Sequence, residues 1–224
     1  QKEFTQYFPK NGWVEHDPEE IWRTTIKTLK DVIKKARSLR GEVLTIGITN
    51  QRETTVLWDK KNGKTVYKAI VWQDRRTEDY CKKLRKQNKD TTIFNKTGLL
   101  IDPYFSGTKI KWILENIPKA KQLMNRNQLL FGTIDSFLIW RLTKGKVHAT
   151  DATNASRTMI YNISSNKWDE AILKLLKINK NILPKVKDCA DDYGQTHPSI
   201  TEKSIPINGV VGDQQAATIG QCCF

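Results

Sequence analysis

Near its end the chain reads Ile205-Pro-Ile-Asn-Gly-Val-Val-Gly212, a strand, and Asp213 opens the helical stretch 214–221 directly behind it. A strand passing straight into a helix is the unit from which α/β sheets are built, and it sets a polar residue at the carboxyl end of the strand. The same alternation runs through the sequence. Asp17-Pro18-Glu19-Glu20 supplies a helix cap, a proline at the first helical position and acids in the first turn. Glu20, three residues after Asp17, has capping-box spacing. Trp22, Ile26, Leu29, Ile33 and Ala36 then recur at helical spacing. Residues 43–48 form a strand apolar enough for a sheet centre. Residues 54–58 and the stretch from Thr65 form a hairpin about Asn62-Gly63. Residues 69–72 are a further strand, followed by a helix over 76–86. Helices over 108–116, from Pro118, over 134–142 and over 168–176 complete the pattern, with 129–131 extended. The predicted fold is α/β with a mixed sheet, one domain with a helical lobe at about 94–183.

Composition narrows the partners. Lys and Arg total 38 against 24 Asp and Glu, a net charge of +14. That balance raises nucleic acid and membrane surfaces as partners. The basic residues lie in runs such as Lys82-Lys83-Leu84-Arg85-Lys86, the solvent face of a helix, and Lys60-Lys61-Asn62-Gly63-Lys64, a turn. Neither belongs to a nucleic-acid motif, so the surface reads as solvated and no nucleic-acid partner is expected. No segment reaches the roughly 20 apolar residues of a membrane span, and no signal peptide is visible, so the expected location is cytoplasmic. Cys81, Cys189, Cys222 and Cys223 form no C-x-x-C pair and read as reduced, partly buried thiols, the last two on a buried helix. The histidines, His16, His148 and His197, lack metal-ligand spacing, and no metal ligand is assigned. Gln1 stands where a Met would begin a chain, and Phe224 follows an apolar run, so both ends read as cut from something longer.

Three polar clusters interrupt this pattern of core and solvated face. Thr49-Asn50-Gln51-Arg52-Glu53-Thr54 follows the strand at 43–48, where open α/β sheets bind ligands. Arg52 donates and Glu53 accepts, so together they suit a ligand rich in hydroxyls. Trp72-Gln73-Asp74-Arg75-Arg76 follows the next strand, and an indole there can lie against the carbons of a small polyol. Gly209-Val-Val-Gly-Asp213-Gln214-Gln215 places an Asp at a helix start, fixed and charged, where a base can take a hydroxyl proton as phosphate arrives. Read singly, each cluster has a plainer account: charged turn residues, a core Trp, an ordinary helix cap.

Taken together, the clusters resemble a family. Ile48-Thr-Asn-Gln-Arg-Glu-Thr-Thr55, Ala69-Ile-Val-Trp-Gln-Asp-Arg-Arg-Thr77 and Gly212-Asp-Gln-Gln-Ala-Ala217 are similar to stretches of glycerol kinases. So are Thr150-Asp-Ala-Thr-Asn-Ala-Ser-Arg-Thr158 and the long run 97–116, whose part from Tyr104 also resembles the signature of the wider FGGY carbohydrate kinases. The resemblance implies an actin-like, ribonuclease H-like fold and phosphoryl transfer from ATP to glycerol, giving sn-glycerol 3-phosphate. It implies that Arg52, Glu53, Tyr104 and Asp213 hold the hydroxyls with help from Gln214, that Trp72 packs on the carbons, and that Asp213 is the general base. Residues 1–224 then correspond to an N-terminal polyol-binding domain. The family's phosphate- and Mg²⁺-binding hairpin would precede Gln1 and its second ATPase domain would follow Phe224, so the 224 residues alone are expected to be inactive. ATP and Mg²⁺ are implied for the whole enzyme, with a homodimer as a further possibility. A loop that carries regulation by sugar bisphosphates in some bacterial members is here Thr201-Glu-Lys-Ser204, without its Gly and Arg, so that regulation is not expected. A kinase for another polyol or sugar and a non-catalytic basic domain are the competing readings.

Overall fold

The computed structural model describes residues 1–223. In chain order the strands are β1 (Gln6–Tyr7), β2 (Glu15–His16), β3 (Ile46–Asn50), β4 (Val56–Asp59), β5 (Ala69–Ile70), β6 (Leu129–Gly132), β7 (Ala149–Asp151), β8 (Tyr161–Asn162), β9 (Lys167–Trp168), β10 (Lys185–Lys187) and β11 (Ile207–Gly212). The helices are α1 (Pro18–Ser38), α2 (Glu78–Lys86), α3 (Asp90–Thr97), α4 (Ser106–Asn116), α5 (Pro118–Asn125), α6 (Ile134–Leu142), α7 (Ala152–Ala155), α8 (Glu170–Leu176), α9 (Pro198–Thr201) and α10 (Asp213–Gly220). Parallel pairs β3–β11 and β7–β10 coexist with antiparallel β1–β2–β5, β4–β6 and β8–β9. The fold is therefore α/β with both strand senses, distributed over several small sheets.

The β4–β6 ribbon is buried on both faces and separates two cores. Leu57, Leu129 and Phe131 point into one, with Ile110, Ile113, Ile160 and Leu173. Val56, Trp58 and Leu130 point into the other, with Ile48, Phe137, Ile139 and Val210. This is the period-two alternation of strands, here apolar on both sides. Trp58 meets Phe137 and His148 edge-on, each at 5.5 Å between ring centroids. Burial pulls the pKa of His148 down to about 4, so its ring is neutral at neutral pH and Nε2 donates to the Phe131 carbonyl at 2.7 Å. Gly132 closes β6 with no room beside it: an added Cβ would lie 2.4 Å from Ser136 Cβ and 3.0 Å from the Trp58 ring. Gly132→Ala is expected to cost about 1–3 kcal/mol through overpacking, or roughly 2–12 °C in melting temperature for a chain of this size. An unchanged melting temperature would show that the ribbon is less tightly packed than described.

Where the sequence was strongly periodic, the elements fall as expected. Asp17 caps α1 by accepting from the Glu19 N–H at 2.9 Å, although Glu20 takes a hydrogen bond from Thr5 rather than completing a capping box. α6 spans the expected residues, and the turn at Asn62-Gly63 has Gly63 at φ +72°. Other elements differ. β3 begins at Ile46, and Leu44 is exposed. Its pairing with β11 starts there: the Pro206 carbonyl accepts from the Ile46 N–H at 2.9 Å, and Pro206 has no N–H with which to extend the ladder. Along β3, Ile48 and Asn50 are buried and Gly47 and Thr49 exposed, so one face of the strand is uncovered among the described residues. The expected strand 69–72 shortens to β5 because the chain turns at Asp74, whose carboxylate accepts from the N–H groups of Val14 and Arg76. The helical lobe at 94–183 carries α4, α5, α6, α7 and α8 within the one domain. It contains β6, β7 and the β8–β9 hairpin, and its helix α6 packs in the core shared with β3 and β11. The helix carrying the cysteine pair is not buried: α10 has no buried residue, ends at Gly220, and leaves Cys222 and Cys223 exposed. No helix of the described residues is long and apolar enough to cross a membrane.

Candidate polyol and phosphoryl-transfer site

The parallel register sets Gly212 beside Asn50, so β3 and β11 end together. Arg52-Glu53 leaves one strand and Asp213 leaves the other at the same edge. Arg52 lies across the gap with its side chain 5% exposed. It donates from Nη2 to Gln214 Oε1 and from Nη1 to Gln215 Oε1, the latter at 3.3 Å. Its Nε is 3.2 Å from Asp213 Oδ1, an ion pair whose angle is too poor for a hydrogen bond. The absence of a side chain at Gly212 permits this, since a Cβ there would lie 2.4 Å from Arg52 Cδ.

Asp213 is not the helix cap that the sequence suggested. Gly212 is the cap (φ −60°, ψ 149°), because it is still held in the β11–β3 ladder and the helix starts one residue later. Asp213 is the first helical residue. Its Oδ1 accepts from the Gln214 N–H at 2.9 Å, and its side chain is 52% exposed. A carboxylate in the first turn of a helix is favoured by the helix dipole and presents its free oxygen outward.

Glu53 is the opposite case, 2% exposed. It takes φ +62°, a left-handed conformation that a non-glycine residue adopts only when its surroundings impose it. Its carbonyl accepts from Ser106 Oγ at 2.9 Å and Thr55 Oγ1 at 3.2 Å, and Arg157 Nε donates to Oε1 at 2.7 Å. Burial pushes the Glu53 carboxyl above the usual carboxylate range, while Arg157, Arg52 and Lys109 pull it back.

Tyr104 and Trp72 make an aromatic corner next to Glu53, with ring centroids 5.4 Å apart. Burial, then the charge of Glu53, raises the Tyr104 phenol above its ordinary pKa. The backbone of Tyr104 is fixed at both ends. Asp102 Oδ1 accepts its N–H at 2.8 Å, and the Lys109 ammonium donates to its carbonyl. Lys109 is fully buried in α4, and burial brings its pKa down to about 7.

The structure thus gathers all six residues singled out in the sequence along one edge. Arg52, Asp213 and Gln214 touch one another. Glu53, Tyr104 and Trp72 form a second group joined to the first through the Arg52-Glu53 bond. Arg75 and Arg76, from the same cluster as Trp72, serve the framework instead. Arg76 lies 3.8 Å from the Trp13 ring centroid and pairs with Glu15 and Asp74 at 2.8 Å. Arg157 and Lys109 were not foreseen, although both stand inside stretches quoted for the resemblance. A lysine beside the apolar positions of α4 was the available signal for Lys109.

Strands that end together, a charged donor–acceptor pair at that edge and a carboxylate at the head of the facing helix mark the ligand-binding edge of an α/β domain, and the likeness of the fold to solved sugar kinases makes it one of the actin-like class. The chain superposes on Plasmodium falciparum glycerol kinase with ADP at a TM-score of 0.95 and 38% identity, covering 100% of this chain and 45% of that one. The chain belongs to the FGGY family of carbohydrate kinases, whose N-terminal domain matches residues 1–220. It is 58% identical over 224 residues to the glycerol kinase of Rhizobium meliloti (strain 1021), covering 100% of this chain and 45% of that protein. Glycerol kinase 1 of Pseudomonas aeruginosa is 54% identical, with 100% of this chain and 45% of that protein covered. Xylulose kinase from Rhodospirillum rubrum, at 19% identity and a TM-score of 0.86 over 97% of this chain and 44% of that one, shares the fold. The chain spans about half the length of the curated relatives it matches, 45%.

Proposed function

We propose that this chain is the polyol-binding domain of a glycerol kinase, which transfers the terminal phosphoryl group of ATP to glycerol and gives sn-glycerol 3-phosphate. The observation that carries the proposal is the meeting of Arg52, Glu53 and Asp213 at the shared edge of β3 and β11. A triol needs paired donors and acceptors with an apolar wall for its carbons. Arg52 supplies the donor, Glu53 and Asp213 the acceptors, and Trp72 with Tyr104 the wall. The phenol of Tyr104 stays protonated and can hydrogen-bond a hydroxyl. Gln214 is held by Arg52 with its amide nitrogen left to donate.

The hydroxyl to be phosphorylated sits at Asp213, whose carboxylate accepts its proton as the oxygen attacks. In a loose phosphoryl-transfer transition state that proton leaves late, so a weak base suffices. The exposure of Asp213 suits a group that must face an incoming phosphate. ATP would be bound by residues beyond this chain. Mg²⁺, the usual companion of ATP, would arrive with the nucleotide, held by its phosphates and one or two carboxylates. We place the enzyme in the cytoplasm as a soluble protein with glycerol and ATP as its partners and no nucleic acid; a homodimer is compatible with this.

Purified full-length enzyme should form ADP with glycerol at a kcat/KM at least about tenfold above that with xylulose, xylitol or gluconate, since a site built to pair hydroxyls discriminates through unpaired buried groups. A preference for any of these larger acceptors would remove glycerol as the substrate and leave the family assignment standing.

A further inference from the structure

We propose that Arg157 is a positioning residue for the polyol: its side chain holds one oxygen of the Glu53 carboxylate and turns the other, Oε2, toward the acceptor hydroxyl. The inference rests on the glycerol-kinase reading given above and assigns a task that the six site residues do not perform for themselves.

Arg157 Nε donates to Glu53 Oε1 at 2.7 Å across 104 residues of sequence. No hydrogen bond from the described residues reaches Oε2. One oxygen is therefore committed to the arginine and the other is left as an acceptor. The guanidinium carbon lies 5.0 Å from the Phe105 ring centroid and 5.7 Å from that of Tyr104, so two aromatic rings flank the fork. Such stacking is favourable for arginine and unavailable to a flexible ammonium in the same form. The Arg157 side chain is 27% exposed while Glu53 is buried, so Arg157 sits on the solvent side of the pair.

The segment that carries Arg157 is itself fastened to both strands of the site. Asp151 Oδ1 accepts from Asn154 Nδ2 at 2.7 Å, and Asn154 exchanges amide hydrogen bonds with Asn50, the last residue of β3. Thr153 Oγ1 accepts from the Gly212 N–H at 2.8 Å, directly before Asp213. One short stretch, 151–157, thus touches the end of β3, the end of β11 and the carboxylate of Glu53. It sets the distance between the acceptor at Glu53 and the base at Asp213.

The charged and titratable groups around Glu53 are Arg157, Arg52, Lys109 and Tyr104; Asp213 acts on it through Arg52. Of the cations, Arg157 alone hydrogen-bonds the carboxylate. Removing it weakens the hold on the ionised form, and the carboxyl keeps its proton to a higher pH. A protonated Glu53 no longer accepts from the polyol in the same way, so glycerol binding is lost at a higher pH than in the wild type.

The test uses Arg157→Met and Arg157→Lys in the full-length enzyme, with steady-state kinetics against glycerol and ATP over a range of pH. For Arg157→Met, KM for glycerol should rise about 10–100-fold, as expected when a hydrogen bond to a charged group is lost. KM for ATP should stay within about twofold, kcat should fall less than KM rises, and the acid limb of kcat/KM for glycerol should move to higher pH. Arg157→Lys should return the acid limb toward its original position while recovering KM only in part, since the ammonium restores charge without the stacked fork. If Arg157→Met does not fold, the acid limb and KM of Arg157→Lys carry the comparison. Wild-type turnover of glycerol with an unmoved KM and an unmoved acid limb in the variants overturns the role of Arg157 and leaves the function intact. No glycerol turnover by the wild type overturns both.

Discussion

Asp213→Asn in the full-length enzyme is expected to lower kcat by about 10²–10⁴-fold, the usual contribution of a general base. The fold should survive the change. Asp213 is the first residue of α10 and Gly212 provides the cap, so helix initiation does not depend on the carboxylate. What the helix loses is a favourable charge in its first turn, worth about 0.3–1 kcal/mol. The amide oxygen of Asn can still accept from the Gln214 N–H and lie beside Arg52 Nε, as Asp213 does at 2.9 and 3.2 Å. Glycerol should therefore still bind, a few-fold more weakly. The amide cannot take the hydroxyl proton, so the loss falls on kcat rather than KM. A near-wild-type kcat with a slightly lower melting temperature would reduce Asp213 to a residue that only helps the helix start.

Arg52→Ala should act on glycerol rather than on the nucleotide. The side chain bridges Gln214, Gln215 and Asp213 from a buried position, and all of these lose their partner at once. Hydrogen bonds to charged groups contribute about 1.5–3 kcal/mol, so kcat/KM for glycerol should fall by roughly 10–150-fold. Glu53 also loses a neighbouring cation that favours its ionised form, which adds to the loss at low pH. KM for ATP should change little. An unchanged KM for glycerol together with a raised KM for ATP would move Arg52 to the nucleotide side and contradict the assignment.

Much of this site was legible in the sequence because it is built from short contiguous stretches. Arg52-Glu53 follows β3 and Asp213 follows β11, and the carboxyl end of a strand is where α/β folds bind ligands. The periodic α1 and α6 and the Asn62-Gly63 turn were legible for a local reason: a helical stripe or a left-handed turn is encoded within a few residues. The misreadings share a different cause. Whether Gly212 or Asp213 caps α10 depends on the pairing of Gly212 with Asn50, a residue over 150 positions away. The start of β3 depends likewise on Pro206, whose carbonyl takes the Ile46 N–H, and among the described residues no other element covers the apolar end of α10. Arg157 stood inside a quoted stretch, but its task depends on Glu53, and no spacing rule links residues so far apart. The left-handed backbone of Glu53 was equally hidden, since residues 53–55 carry no glycine or asparagine to announce a turn.

Glycerol is expected to lie between Glu53 and Arg52 on one side and Asp213 on the other. The most direct test is the crystal structure of the full-length enzyme with glycerol as the sole polyol present. One terminal hydroxyl should lie within about 3 Å of an Asp213 carboxylate oxygen, with a second hydroxyl hydrogen-bonded to Arg52 and Glu53 Oε2. The carbons should lie against Trp72 and Tyr104. Glycerol bound with its hydroxyls away from Asp213, or at a different edge of the fold, would contradict this placement.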